Sequence, residues 1–231
     1  MRKISLALLV CTLLFYGSCT NIARATSLGI ASYSLSDEEK EAIINKANMQ
    51  VIQTDNTKMG IQCFDVKQDG TVAIGIGTGS DCMIYVYDPS GVFQYGYHFR
   101  SDGDYGIVFQ DDMIGIFFIR GNTISFYNSS GICVDVQKVS NPSQDHAHLK
   151  KILTRTEKVV AQKRYVLERD FDIGDSYSRF VVFDEYGERT VLYDTTNEQK
   201  AVQVLSVCVI SCFFAAVGWG CIKKLKAEES E

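Results

Sequence analysis

Short strand-like segments recur along the middle of this 231-residue chain in a fixed order, and each copy closes on a corner of the pattern Asp/Asn-x-x-Gly. The corners at 88–91 and 128–131 are 40 positions apart, and a third stands at 184–187. β-Branched and aromatic residues fill the segments, whereas Gly, Asp, Asn and Ser fill the connections, which is the composition of strands and hairpin turns. The third corner comes 56 positions after the second, so a polar segment over 141–162 is predicted to be inserted or diverged.

A four-stranded unit of about 40 residues is the length of a propeller blade. In repeat length and corner pattern, residues 61–194 resemble the generic blades of β-propellers, which implies mainly β structure in antiparallel four-stranded sheets. No WD or kelch signature is present, so the resemblance assigns no binding residues. Closed propellers have about four to eight blades. Three visible copies therefore predict a partial or open propeller, a ring completed by hidden strands or by a second chain, or, alternatively, a β-sandwich.

Aromatic rings occupy six of the nine odd positions in the predicted hairpin 83–99. Because side chains alternate along a strand, these rings are expected to share one face of each strand, with apolar residues on the other face as well. Apolar residues on both faces are typical of a sheet that lies between two neighbours. The rings are therefore expected to be core, and an open platform for glycans is the alternative reading. They are Tyr85, Tyr87, Phe93, Tyr95, Tyr97 and Phe99.

The ends of the chain predict its placement. Residues 1–25 have a basic start, a short apolar core and an Ala-x-Ala ending, which is the pattern of a secretory signal peptide cut after Ala25. An uncleaved signal anchor and a lipidated Cys19 are the alternatives. Residues 26–60 are predicted to be a linker with one amphipathic helix over 37–49, which starts with a capping box at Ser36 and Glu39. Residues 61–200 form the β-repeat domain.

Residues 201–222 are uncharged and almost wholly apolar, and three lysines follow at once within the tail 223–231. As a helix rising about 1.5 Å per residue, this run spans roughly the 30 Å of a bilayer's hydrocarbon core. Because basic residues stay on the cytoplasmic side, the β-repeat domain is predicted to be extracytoplasmic and the tail cytoplasmic. Small residues recur every fourth position along the span, a ridge on which another helix is expected to pack. They are Cys208, Cys212, Ala216 and Gly220.

The charge balance excludes one class of partner. From residue 26 to residue 200 there are 17 Lys and Arg against 25 Asp and Glu, a net charge of −8. Nucleic-acid binding depends on basic side chains that neutralise phosphates, so no nucleic-acid partner is expected. Seven basic residues nevertheless lie between 150 and 169, and they are predicted to meet an anionic surface or the acidic residues of the chain itself, or to be a solvated strand edge.

Two segments are candidates for metal binding. Asp102 and Asp104 place hard oxygen ligands at alternate positions, as at the start of a calcium loop, but the distant Glu of an EF-hand is absent. His146 and His148 are a second candidate pair without an assignable third ligand. The glycines of Gly75-x-Gly77-x-Gly79 precede a strand instead of a helix, so they are predicted to be turn glycines and not a phosphate loop. No cofactor is predicted apart from this candidate Ca²⁺.

These features together predict a single-pass membrane protein with an extracytoplasmic domain that binds a protein or a glycan. Three domain cysteines, Cys63, Cys82 and Cys133, have no metal-ligand spacing and are predicted to be small buried residues. No nucleophile motif accompanies the three histidines of the chain, so an enzyme is not the leading interpretation. Two alternatives remain: a hydrolase that uses scattered acidic residues, and an accessory subunit of a membrane complex.

Overall fold

The computed structural model describes residues 24–25, 30–140, 149–170, 176–201, 208–209 and 211. The described part contains fifteen strands, the helix α1 (Asp37–Ala47) and short helical segments over 149–153 and 196–201. The strands are β1 (Arg24–Ala25), β2 (Ala31–Ser34), β3 (Gln50–Ile52), β4 (Ile61–Val66), β5 (Val72–Ile76), β6 (Cys82–Tyr87), β7 (Phe93–Phe99), β8 (Tyr105–Gln110), β9 (Met113–Phe118), β10 (Thr123–Tyr127), β11 (Cys133–Val139), β12 (Glu157–Val160), β13 (Lys163–Glu168), β14 (Arg179–Phe183) and β15 (Arg189–Asp194).

Three antiparallel meanders confirm the predicted repeat. We call them blade 1 (β4–β7), blade 2 (β8–β11) and blade 3 (β12–β15), and in each the strands pair in sequence order. The chain before β4 adds outer strands: β2 pairs with β11 of blade 2, and β3 pairs with β7 of blade 1. Blade 3 has no such fifth strand within the described residues. The architecture is therefore mainly β, as the sequence predicts.

The corners of the three blades have the same geometry. In each, the Asp or Asn side chain accepts hydrogen bonds from the amides two and four residues later. The corner glycine lies at positive φ, with values of 85° at Gly91, 74° at Gly131 and 81° at Gly187. Left-handed backbone is cheap only for glycine, which explains why the fourth position of the pattern does not vary between copies.

Three hydrophobic clusters show how the blades are arranged. Blade 1 packs on blade 3 through one face and on blade 2 through the other, so it is buried on both sides. The far face of blade 2 is covered by Ile30 and by Leu149 and Ile152 of a short helical turn over 149–153. No cluster joins blade 2 to blade 3 within the described residues. The blades thus form an open stack in the order 3–1–2.

A buried carboxylate connects all three blades. Asp65 on β4 is only 2% exposed, and it accepts a 2.8 Å bond from the Phe109 amide on β8 and another of 2.8 Å from Lys158 Nζ on β12. The Arg155 guanidinium pairs with the same carboxylate. Two of the seven basic residues between 150 and 169 therefore bind the chain's own acidic residue, as one of the sequence interpretations proposed. We call Asp65, Arg155, Lys158 and the Phe109 amide the blade hub.

The polar segment over 141–162 was predicted to be inserted or diverged, with hidden strands as an open alternative. It supplies one such strand: residues 157–160 are β12, which pairs with β13 at the start of blade 3. The alternation is hard to see in the sequence because charged Lys158 lies on the same strand face as buried Val160. The predicted helix was confirmed, and its capping box is present at Ser36 and Glu39.

The rings of the hairpin 83–99 share one face of each strand as predicted, except Phe93, but the ring-bearing faces of β6 and β7 lie on opposite sides of the sheet. A β-bulge between Val86 and Tyr87 shifts the register, so the faces of β6 and β7 are offset. Three rings therefore pack toward blade 3, and the other three pack toward blade 2. The first set is Tyr85, Tyr87 and Phe93, and the second is Tyr95, Tyr97 and Phe99. Because these rings are core, the hairpin offers no open glycan platform.

Candidate functional site

The segment before blade 1 fastens blade 2 to blade 1 from outside. Its strand β2 belongs to blade 2 and its strand β3 to blade 1, so α1 bridges the gap between them. Lys40 Nζ on α1 lies 3.2 Å from Asp135 Oδ1 of blade 2. At the other end of the helix, the Arg100 amide donates to the Ala47 carbonyl at 2.9 Å. The last turn of α1 is thereby held above the junction of the two blades.

A cleft of about 220 Å³ lies between this last turn and two loops of blades 1 and 2. We call it the α1 cleft. Its apolar wall comes from Ile43, Ala47 and Phe118, and buried Thr123 lies beside them. Its basic wall comes from one residue of α1, one of the β7–β8 loop, one of the β9–β10 loop and one of β11. These four residues are Lys46, Arg100, Arg120 and Lys138.

Of the four basic side chains in the α1 cleft, one forms an ion pair with a described residue. Lys46 pairs with the Asp102 carboxylate. Within the described residues, the side chains of Arg100, Arg120 and Lys138 form no ion pair and no hydrogen bond. The positive charge of Lys138 reaches Glu39, whose pKa is lowered first by the Ser36 hydrogen bonds and then by this lysine. Arg100 and Arg120 thus have no carboxylate partner among the described residues, and Lys138 has only the unbonded charge of Glu39 nearby.

The backbone of the β7–β8 loop is already engaged. The Ser101 amide donates to the Gly79 carbonyl at 2.8 Å, and the Gly103 amide donates to Ser101 Oγ at 3.4 Å. The Arg100 amide is bonded to α1, so three backbone amides of this loop already donate to acceptors inside the protein. These three amides are therefore not available to an anion in the α1 cleft, which leaves the basic side chains as its main donors.

The structure describes one of the two candidate metal-binding segments. Asp102 lies in the α1 cleft against Lys46, and Asp104 follows it, with its carbonyl accepting the Ile119 amide at 3.3 Å. No group of three or more His, Cys, Asp or Glu side chains suited to a metal occurs in the described part of the chain. His146 and His148 lie outside the described residues. The Ca²⁺ and histidine readings stay predictions.

The predicted membrane segments lie largely outside the described residues. Residues 1–23 belong to the predicted signal peptide and are among them. Of the helix-packing ridge, Cys208 is helical and exposed, whereas Cys212, Ala216 and Gly220 are not described. Among the helices that the structure describes, none has the length and apolar character needed to span a membrane.

The domain cysteines and the glycine motif are structural. Cys63 and Cys82 are buried free thiols as predicted, and burial raises the pKa of Cys82 to about 11. Cys133 is half-buried. Gly77 and Gly79 are turn glycines with positive φ, but Gly75 lies within β5, where an added Cβ would come 2.7 Å from the Cys63 sulfur. That glycine is needed for sheet packing, which the turn prediction missed.

A second groove of about 220 Å³ lies between blades 1 and 3, beside two of the corners. Its acidic residues include Asp88 and Asp184. Each of these carboxylates accepts the amides of its own corner, and the pKa of Asp88 is lowered, first by the Ser90 hydroxyl and then by the Val92 amide. Asp88 and Asp184 are thus engaged by the turns, and Glu188 is the remaining acid among the described residues that line the groove.

Comparisons with known proteins identify no family. No protein-family model matches the sequence, and no curated protein matches it. Among solved structures, the chain is similar to a crystal structure of virginiamycin B lyase from Staphylococcus aureus, with 13% identity and a TM-score of 0.29. The match covers 64% of this chain and 60% of the lyase chain. No residue role or activity of the lyase is transferred at this level of similarity.

Proposed function

We propose that this chain is a single-pass membrane protein that holds an interaction module outside the cell membrane, with the α1 cleft as its binding surface for a partner protein. The placement follows from the signal-like start, the apolar run 201–222 and the lysines behind it. The β-repeat domain supports the binding role, because an open stack of blades is a rigid frame that presents loops at one rim.

One observation carries the choice of site. The α1 cleft combines an apolar wall with three cations that form no ion pair or hydrogen bond with the described residues, although Lys138 still feels the Glu39 carboxylate. Elsewhere in the described part, basic side chains are mostly bound by acids, as Lys40, Lys67, Arg179 and Arg189 are. An unpaired basic rim around apolar surface is the composition of a recognition site and contributes little to stability on its own.

Photo-crosslinking in living cells tests this function. A small diazirine-bearing residue at Gly121, which is exposed and lines the α1 cleft, should give a discrete heavier product that requires light. The matched control places the same residue at Tyr186, which is 85% exposed and lies outside the α1 cleft. A product at position 121 and none at 186 is expected. No product at 121, or equal products at both positions, would reject the α1 cleft as the binding surface.

A further inference from the structure

We infer that the α1 cleft recognises an acidic peptide segment in which carboxylates flank one apolar side chain. This inference rests on the proposed function, and it names the chemistry of the partner. Charge is the first property of the α1 cleft that favours this partner. Arg100, Arg120 and Lys138 come from three different elements and converge on one cleft, so their combined field selects an anion.

The hydrogen-bond donors of the α1 cleft favour a carboxylate over a phosphate. Phosphate sites commonly use backbone amides or a helix N-terminus. Here the amides of Arg100, Ser101 and Gly103 donate inside the protein, and α1 presents its C-terminal end to the cleft. That end carries partial negative charge, which disfavours a dense anion. Arginine forks, by contrast, match the planar geometry of a carboxylate.

The apolar wall of the α1 cleft accounts for the apolar side chain of the proposed peptide. Ile43 and Phe118 are half-buried, and Ala47 closes the cleft behind them. The volume of about 220 Å³ is smaller than the roughly 300 to 1,000 Å³ of sites that enclose a whole small molecule. It suits a single Leu-sized or Phe-sized side chain whose backbone continues across the rim. Charged residues on either side of that side chain would then reach Arg100 and Arg120.

Fluorescence anisotropy on the full chain in a non-ionic detergent tests the inference. The probe is a labelled short peptide with glutamates on both sides of one leucine, and its control has glutamines in place of the glutamates. We expect the acidic peptide to bind and the glutamine peptide to bind at least about tenfold more weakly. Binding should also weaken as salt rises, because exposed charges are screened. Equal binding of the two peptides would overturn the inference.

Matched variants locate the binding. Changing Arg100→Gln together with Arg120→Gln should weaken the acidic peptide by at least about tenfold, since each removes a charge-assisted contact. Changing Lys150→Gln together with Lys151→Gln alters the net charge equally at two exposed residues outside the α1 cleft, and the affinity should stay within about twofold. Loss of binding in the second pair, or no loss in the first, would contradict the assignment. Ile43→Gln tests the apolar wall and should weaken binding without a change in the salt dependence.

Lipids added to the detergent micelles of the same assay distinguish a peptide ligand from a lipid headgroup. Phosphatidylserine should leave the peptide bound, as neutral phosphatidylcholine should. Displacement of the peptide by phosphatidylserine alone would overturn the inference in favour of lipid headgroups. The crosslinking and peptide experiments together distinguish a failure of the proposed function from a failure of the peptide inference. If crosslinks at Gly121 form in cells but the acidic peptide does not bind, the chemistry of the partner is wrong and the proposed function stands. If neither occurs, both fail.

Discussion

Removing the carboxylate of the blade hub should destabilise the whole stack. Asp65 has a side chain that is 4% exposed, and its two cationic partners, Arg155 and Lys158, are 16% and 27% exposed. Asp65→Ala leaves both cations without a counter-charge and the Phe109 amide without its acceptor. Breaking a buried ion pair from one side costs about 3 to 5 kcal/mol, and an abandoned buried amide alone costs about 1 to 3 kcal/mol. Because the cations are partly hydrated, we expect a loss of about 3 kcal/mol in the free energy of unfolding.

Urea unfolding of the full chain in non-ionic detergent, followed by far-ultraviolet circular dichroism, measures this loss. The control is Asp112→Ala, which breaks an ion pair between Lys67 and a carboxylate that is 95% exposed. Exposed pairs contribute about 0 to 1 kcal/mol, so the control should barely move the midpoint. The pair Asp65→Ala and Arg155→Ala, measured singly and together, should be strongly non-additive. A cost below about 1 kcal/mol for Asp65→Ala, or additive effects, would refute the account of the blade hub.

Three other predictions follow from the corners, the buried tyrosines and the α1 cleft. Alanine at each corner glycine should lower the free energy of unfolding by about 1 kcal/mol, because each of these positions has a positive φ. The loss should be larger at Gly131 and Gly91, where the new Cβ meets the neighbouring blade at 2.5 and 2.7 Å, than at Gly187. Urea midpoints measure these losses. An equal cost at all three would contradict the stacking order. Burial raises the pKa of eight tyrosines, so the unfolded chain loses protons first; stability should be complete below about pH 10 and decline above it, and these eight should ionise as the chain unfolds. Tyrosinate absorbance from more than four of the chain's 12 tyrosines well before unfolding would contradict this. The eight are Tyr85, Tyr87, Tyr95, Tyr97, Tyr105, Tyr127, Tyr165 and Tyr193. Asp102→Asn frees Lys46 from its internal partner and should tighten the acidic peptide by about two- to fivefold in the anisotropy assay, whereas weaker binding would contradict the role of the ion pair.

Local signals in the sequence predicted much of the fold. The capping box at Ser36 and Glu39 set the start of α1, because both hydrogen bonds form within three residues. The corner pattern predicted the turns for the same reason, since the side chain and the amides that it binds are four residues apart or fewer. Features that depend on neighbours in sequence could therefore be found without the structure.

Features that depend on distant contacts could not be predicted in this way. The bulge between Val86 and Tyr87 reverses which face a ring occupies, and periodicity alone cannot locate such a shift. β12 and β13 were missed because Lys158 is charged and yet points to Asp65, 93 residues away. The α1 cleft has no linear signature at all, because its cations are separated by up to 92 positions, from Lys46 to Lys138, and meet only when β2 and β3 join different blades.

The proposed placement of the α1 cleft outside the cell can be tested directly with a membrane-impermeant maleimide on intact cells. One variant carries Gly121→Cys in the α1 cleft, another carries Glu228→Cys in the predicted inner tail, and the unmodified chain gives the background of its own cysteines. We predict that Gly121→Cys is labelled on intact cells and that Glu228→Cys is labelled only after the membrane is permeabilised. Labelling of Glu228→Cys on intact cells, with Gly121→Cys protected until permeabilisation, would contradict the account.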